Sequence, residues 1–166
     1  IACKMISEGS KTFGFVGDPE HCQGFYERFL GLREALFKNK MVLDEKKCIL
    51  ESDDSPYGDV NWLMQKLAHM DQIPEVFFCA NDSIAIPLTE ALKRLYKRVP
   101  QDVQVVVFDN TIETALNHPS LTTIDIDKEQ LGQEVIHTLL QRIKRATIPN
   151  RTIYLKTKII YRQTTK

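Results

Sequence analysis

Short apolar runs alternate along this chain with stretches whose hydrophobic residues recur at helical spacing. The extended runs are Thr12–Val16, Lys47–Leu50, Glu75–Ala80, Val103–Phe108 and Leu121–Ile126. Glu75–Ala80 and Val103–Phe108 are almost continuously apolar, the pattern of strands covered on both faces. Between them lie helical patterns. A first one covers Ile1 to Glu8 and is closed by Gly9. Another runs from His21 to Lys38 with Phe25, Phe29, Leu32 and Leu36 on one face. Ser55 followed by Pro56 reads as a capped start for a helix carrying Val60, Leu63, Met64 and Leu67. Ile84, Leu88, Ala91, Leu92 and Leu95 form the next stripe. Asp127 with Gln130 reads as a capping box ahead of Leu131, Val135, Leu139 and Ile143. The closing Thr152–Arg162 alternates as extended chain. Strands separated by helices of crossover length predict an α/β fold, a doubly wound and mostly parallel sheet flanked by helices.

Such a sheet binds ligands beyond the carboxyl ends of its strands. Those ends carry Gly17-Asp18-Pro19, Ser52-Asp53-Asp54-Ser55, Asn81-Asp82 and Asp109-Asn110. Successive strands thus deliver carboxylates, amides and hydroxyls to one edge, a set suited to the paired hydroxyls of a sugar. Each of these residues taken singly is equally a good helix cap or turn former.

Composition narrows the function. The 166 residues are 43% hydrophobic and 27% charged, the balance of a globular domain. Twenty-two basic residues match 22 acidic ones, which gives no overall surplus for neutralising phosphates. Cys3, Cys22, Cys48 and Cys79 form no C-x-x-C pair and suggest reduced thiols in a cytoplasmic protein. No apolar run reaches the roughly 18 residues of a membrane span. The chain opens without methionine inside a helical pattern, so a fragment or processed product is expected.

Several ordered segments resemble the lactose-repressor (LacI/GalR) family of transcription regulators. Cys-Ala-Asn-Asp-Ser-Ile-Ala at 79–85 is similar to its strand-to-helix turn, and Val-Pro-Gln-Asp-Val at 99–103 with Val-Val-Val-Phe-Asp-Asn at 105–110 to its next loop and strand. Pro-Ser-Leu-Thr-Thr-Ile at 119–124, Gln130-Leu131-Gly132 and the closing Arg162-Gln163-Thr164-Thr165 continue the likeness. Upstream, Phe15-Val16-Gly17, Arg28, Gly31 and Ala35-Leu36 match its arginine-bearing helix.

The resemblance implies one lobe, plus a closing helix, of a periplasmic-binding-protein-like effector domain. Residues 1–126 would form the C-terminal lobe, 127–148 a helix shared with a missing N-terminal lobe, and 149–166 the closing strands. Its implied effector contacts are Arg28, Asn81 and Asp109, with Asp54 near a further one. It implies a small-molecule effector, a sugar or sugar derivative, bound in an interlobe cleft. It implies no cofactor or metal, no membrane contact, and DNA binding only through a helix-turn-helix domain absent from this chain. The full-length protein would be a homodimer. With half a cleft, the chain by itself would bind sugar weakly or not at all, and the apolar stripe of the 128–144 helix would lack its usual cover. Five residues at four places depart from the family pattern. Val107 and Asp18 stand where glycines are common, Tyr96-Lys97 where a glycine ends the helix, and Pro87 a turn into the helix after Asn81.

Two other functions fit parts of this pattern. An enzyme would be expected to carry a phosphate-cradling glycine loop, a nucleophile elbow or paired metal ligands. None is present, and His21, His69, His118 and His137 are scattered, so the reading is of a non-enzyme. A sugar-binding protein of an ABC-type transporter shares the architecture, but the repressor-like segments at 99–103, 121–124 and 162–165 favour the regulator. The Lys93-Arg94 and Lys97-Arg98 cluster reads as the solvated end of a helix.

Overall fold

A computed structural model describes all residues from Ile1 to Lys166. Five strands, β1 (Phe13–Val16), β2 (Val76–Cys79), β3 (Gln104–Phe108), β4 (Thr122–Ile126) and β5 (Thr157–Ile160), form one sheet in that spatial order. β1 to β4 are parallel and β5 closes the edge antiparallel to β4. The helices are α1 (Ala2–Ser7), α2 (Gln23–Lys38), α3 (Val60–Ala68), α4 (Asp82–Arg94), α5 (Ile112–Leu116) and α6 (Lys128–Lys144). The mostly parallel α/β sheet read from periodicity is the observed one.

Where the chain reverses direction fixes where a ligand can sit. Ile49 lies beside β1 on the side away from β2, its N–H donating to Phe15 and its carbonyl accepting from Gly17. The chain therefore steps outward from β1 through α2, then returns across the sheet through α3 to β2. Right-handed crossovers in opposite directions place their helices on opposite faces. Accordingly α1 packs with α2, and α3 with α4. The crevice between β1 and β2 at their carboxyl ends is the topological switch point.

Burial explains the strands. All four residues of β1 and of β2 are buried, and Phe15, Phe77, Val105, Val106 and Val107 are fully so. Val107 occupies the interior of the sheet in place of the family's glycine. Cys79 is a buried hydrophobe, its thiol pushed up by desolvation. The carboxyl-terminal tail wedges between β3 and β4 ahead of their first paired residues. Thr164 donates from its hydroxyl to Val105 O at 2.7 Å and accepts there from Thr122 N at 2.8 Å. These bonds satisfy backbone groups that would otherwise be buried unpaired.

Several local expectations need correction. Ser55-Pro56 does not open α3; Asp59 caps it, accepting from Asn61 N and Trp62 N. The reason is Tyr57, which is buried and donates its hydroxyl to Glu51 O at 2.7 Å, leaving the preceding residues as a turn. Lys47–Leu50 forms no regular strand, because a 3-10 turn over Glu45–Lys47 leaves only Ile49 in register. α2 begins at Gln23, two residues after His21. α5 had no periodic signal. Asp127 caps α6 through Gln130 N as expected.

Tyr96 takes the left-handed conformation (φ 58°) at the end of α4. Lys97 N donates to Leu92 O and Tyr96 N to Lys93 O, the paired bonds of a Schellman ending that glycine normally fills. Its ring is 93% exposed, so little packing offsets the backbone strain. Tyr96→Gly should raise stability by about 0.5–1 kcal/mol, net of glycine's entropic cost. A chemical-denaturation midpoint that does not rise contradicts this.

α6 differs from every other long helix. It buries no residue, and Leu131, Val135, Leu139 and Ile143 stand 44–71% exposed along one face.

Candidate functional site

Arg28 on α2 reaches across the switch point. One guanidinium nitrogen, Nη1, donates to Ala80 O at the end of β2, and Nη2 lies 2.7 Å from Asp109 Oδ1 beyond the end of β3. The guanidinium stacks over Phe108 at 4.7 Å and faces Phe25 at 5.7 Å. Its side chain is 16% exposed and that of Asp109 33%, so the pair is partly desolvated but reachable. Charge-assisted bonds of this kind are about twice as strong as neutral ones. Asp109 Oδ2 and the outer guanidinium edge remain to engage a ligand that both donates and accepts.

The turn carrying Asp109 is unusual. Asp109 and Asn110 both have positive φ, 95° and 49°, a costly conformation for side-chain-bearing residues. Four elements hold it. Lys128 Nζ, at the start of α6, donates to the carbonyls of Asp109 (2.7 Å) and Asn110 (3.1 Å). Arg162 donates to Asn110 Oδ1 at 2.7 Å, and Asn110 Nδ2 to Asp125 at 2.9 Å. Asn110 N donates to Thr123 Oγ1. Thr111 N donates to Asp82 Oδ2 at 2.8 Å.

The other two expected contacts fall differently. Asn81 lies at the end of β2 beside this pair, but its Oδ1 caps α4 by accepting from Ile84 N at 3.1 Å. Its amide nitrogen is the part left for a ligand. Asp54 is exposed and accepts from Ser52 in its own loop, with no bond to Arg28, Asn81 or Asp109. In that loop it is Asp53 that reaches a neighbour, His21 Nδ1 at 2.8 Å. Asp18 turns its carboxylate back onto Glu20 N, serving the turn after β1. The structure thus brings together Arg28, Ala80, Asn81 and Asp109, and leaves Asp54 at the periphery.

Beside the pair opens a mainly apolar groove of about 620 Å³, with Arg28, Leu32, Phe78, Phe108, Ile124 and Tyr154 in its walls. No cluster of His, Cys, Asp and Glu has the geometry of a metal site. No helix is long and apolar enough to cross a membrane. Two of the basic cluster at the end of α4 are paired with carboxylates, Arg94 with Glu90 and Arg98 with Asp102 through two bonds.

Lys128 and Arg162 escaped the sequence reading as site residues. Lys128 follows the end of β4 but read only as the first residue of a capped helix, and Arg162 lies in the closing segment. Asp82 belonged to the polar edge as a cap or contact candidate.

A mostly parallel sheet with polar groups at its switch point defines the class, and comparison with known sequences agrees. The chain belongs to the periplasmic binding protein-like domain family, which it matches over residues 3–165. Within that family it is of the LacI/GalR type, a C-terminal effector-binding domain. It is 33% identical over 141 residues to the HTH-type transcriptional repressor PurR of Glaesserella parasuis, covering 85% of this chain and 41% of the relative. The chain therefore spans about two-fifths of the length of such relatives. Among solved structures, a LacI transcriptional regulator from Bacillus cereus subsp. cytotoxis superposes with TM-score 0.87 at 26% identity, over 99% of this chain and 58% of that one. The Lac repressor dimer bound to operator and the anti-inducer ONPF gives 0.83 at 25%, over 98% and 48%.

Proposed function

We propose that this chain is the ligand-sensing part of a bacterial LacI-type transcription regulator. The observation that carries the reading is the Arg28–Asp109 pair, held partly desolvated at the switch point by residues far apart in sequence. A sugar or sugar derivative donates a hydroxyl to Asp109 and accepts from Arg28, with Asn81 Nδ2 as a third contact. Any competitor lacking one partner leaves a buried polar group unpaired, at a cost of about 1–3 kcal/mol. The sugar class rests on this donor–acceptor edge, since the sequence relatives are PurR repressors.

The protein acts by binding and not by catalysis. In the whole protein a second lobe covers the exposed stripe of α6 and completes the cleft. Ligand closes the lobes and changes how a cytoplasmic homodimer presents its helix-turn-helix domains to DNA, by as much as its affinities for the two arrangements differ. The switch-point site would serve a transporter's binding protein equally well, but the relatives of this chain are repressors.

Intact mass and N-terminal sequencing of the native gene product separate the two. A longer chain opening with a helix-turn-helix is expected. A cleaved export signal would contradict the regulator reading.

A further inference from the structure

Asp82, the first residue of α4, is 3% exposed, yet only one of its carboxylate oxygens is satisfied. Oδ2 accepts from Thr111 N; Oδ1 is buried with no hydrogen-bond partner. A buried unpaired acceptor is costly, and sequence gives no need for one here, since Asn81 already caps this helix. What Asp82 does hold is the residue immediately after the two left-handed positions Asp109 and Asn110.

We propose that Asp82 is the positioning residue of the effector-contacting turn, its carboxylate anchoring Thr111 so that Asp109 is aimed at Arg28 and at ligand. This rests on the assignment of Asp109 as a ligand contact. The groups around it come from three directions. Asp109 in the turn repels it, Lys128 from α6 attracts it, and the buried Cys79 thiol on β2 is close enough to feel its charge. Desolvation is the largest influence, and it raises the Asp82 carboxyl above the ordinary range. The anchor is strongest when Asp82 is ionised, because a charged acceptor bonds Thr111 N–H about twice as strongly as a neutral one. Protonation relieves the desolvation of Oδ1 but slackens the turn. Asp82 therefore tightens the ligand turn as pH rises through its raised value and loosens it below.

The test is an NMR titration of the ¹³C,¹⁵N-labelled chain from about pH 7 to about pH 4, without ligand. The Thr111 amide is expected to shift as its hydrogen bond weakens, with the same midpoint as the Asp82 carboxyl carbon. In Asp82→Asn, which keeps an acceptor for Thr111 N–H, that curve should vanish while the amide stays protected from exchange. A Thr111 curve that follows Asp109 or Asp125 instead, or survives in Asp82→Asn, overturns the proposal. So does a Thr111 amide that does not move. Should Asp82→Asn fail to fold, the wild-type midpoints decide alone. Because no ligand is present, failure here leaves the effector-binding reading standing, and failure to bind sugar leaves this result untouched.

Discussion

Asp109→Ala is expected to weaken ligand binding by the whole protein about a hundredfold, through loss of one direct contact and misplacement of another. Truncating one partner of a hydrogen-bonded charge pair costs about 2–5 kcal/mol, much of it the penalty on the partner left behind. Arg28 would keep its bond to Ala80 O and its stacking on Phe108, so the fold should survive. About 1.4 kcal/mol corresponds to tenfold in affinity, which sets the hundredfold loss near the lower bound of that range. Asp109→Asn separates charge from shape. It retains an acceptor for Arg28 but removes the ionic component, and a loss of about tenfold is expected. Equilibrium binding of both variants checks this, and near-wild-type affinity in Asp109→Ala would remove the carboxylate from the site.

Gly14→Ala has the largest expected effect on stability. A Cβ at this position on β1 would lie 2.1 Å from the backbone carbonyl of Lys47 and 2.9 Å from the Phe77 ring. Lys47 O is backbone, held by the turn that feeds Ile49 into its place beside β1, and cannot step aside as a side-chain tip would. Overpacking a tight core costs about 1–3 kcal/mol and sometimes more. A backbone clash on the fully buried strand β1 belongs at the upper end, about 3 kcal/mol, a large share of a domain's net stability. Loss of soluble expression, or a thermal midpoint lowered by many degrees, is the expected outcome. An unchanged midpoint would mean that the segment before Ile49 does not pass so close to β1. Gly17→Ala should also destabilise strongly, because its Cβ would meet Ala80 Cβ at 2.5 Å, an atom fixed to the backbone, and its φ of +139° strains any side-chain-bearing residue.

The fold was legible where burial and periodicity coincide. β2 and β3 are buried along nearly their whole length, so uninterrupted apolar runs marked them. α2 and α4 bury one stripe each, and their helical spacing marked those. Legibility failed where a tertiary contact outweighed local preference. Ser55-Pro56 carries a good start signal, yet the buried Tyr57 keeps that segment outside α3. α5 is a single short helix of five residues between polar turns, too brief for a period to emerge.

The site was legible in part for a comparable reason. Strand-end position identified Asp109 and Asn81 among the polar edge residues. It could not identify Arg28, which stands in mid-helix and meets Asp109 across 81 residues of sequence; family resemblance supplied that residue. Neither route indicated Lys128, whose reach to the Asp109 turn depends on how α6 departs from β4. Family resemblance placed Asp54 near a further contact, but hydrogen bonding ties it to Ser52. Local chemistry predicts which residues reach an edge, whereas pairings across the sheet need the fold.

The central claim is that the Arg28–Asp109 edge is where ligand binds. The most direct measurement is an NMR titration of the chain with a panel of mono- and disaccharides, with nucleobases as a contrasting class. With one lobe, binding is expected to be weak, in the millimolar range (about −4 kcal/mol). The account predicts that a sugar shifts Arg28 Nε–H, the Asn81 side-chain amide and the backbone amides of Asp109 to Thr111. Shifts confined to other surfaces, with these groups unmoved at saturation, would contradict it.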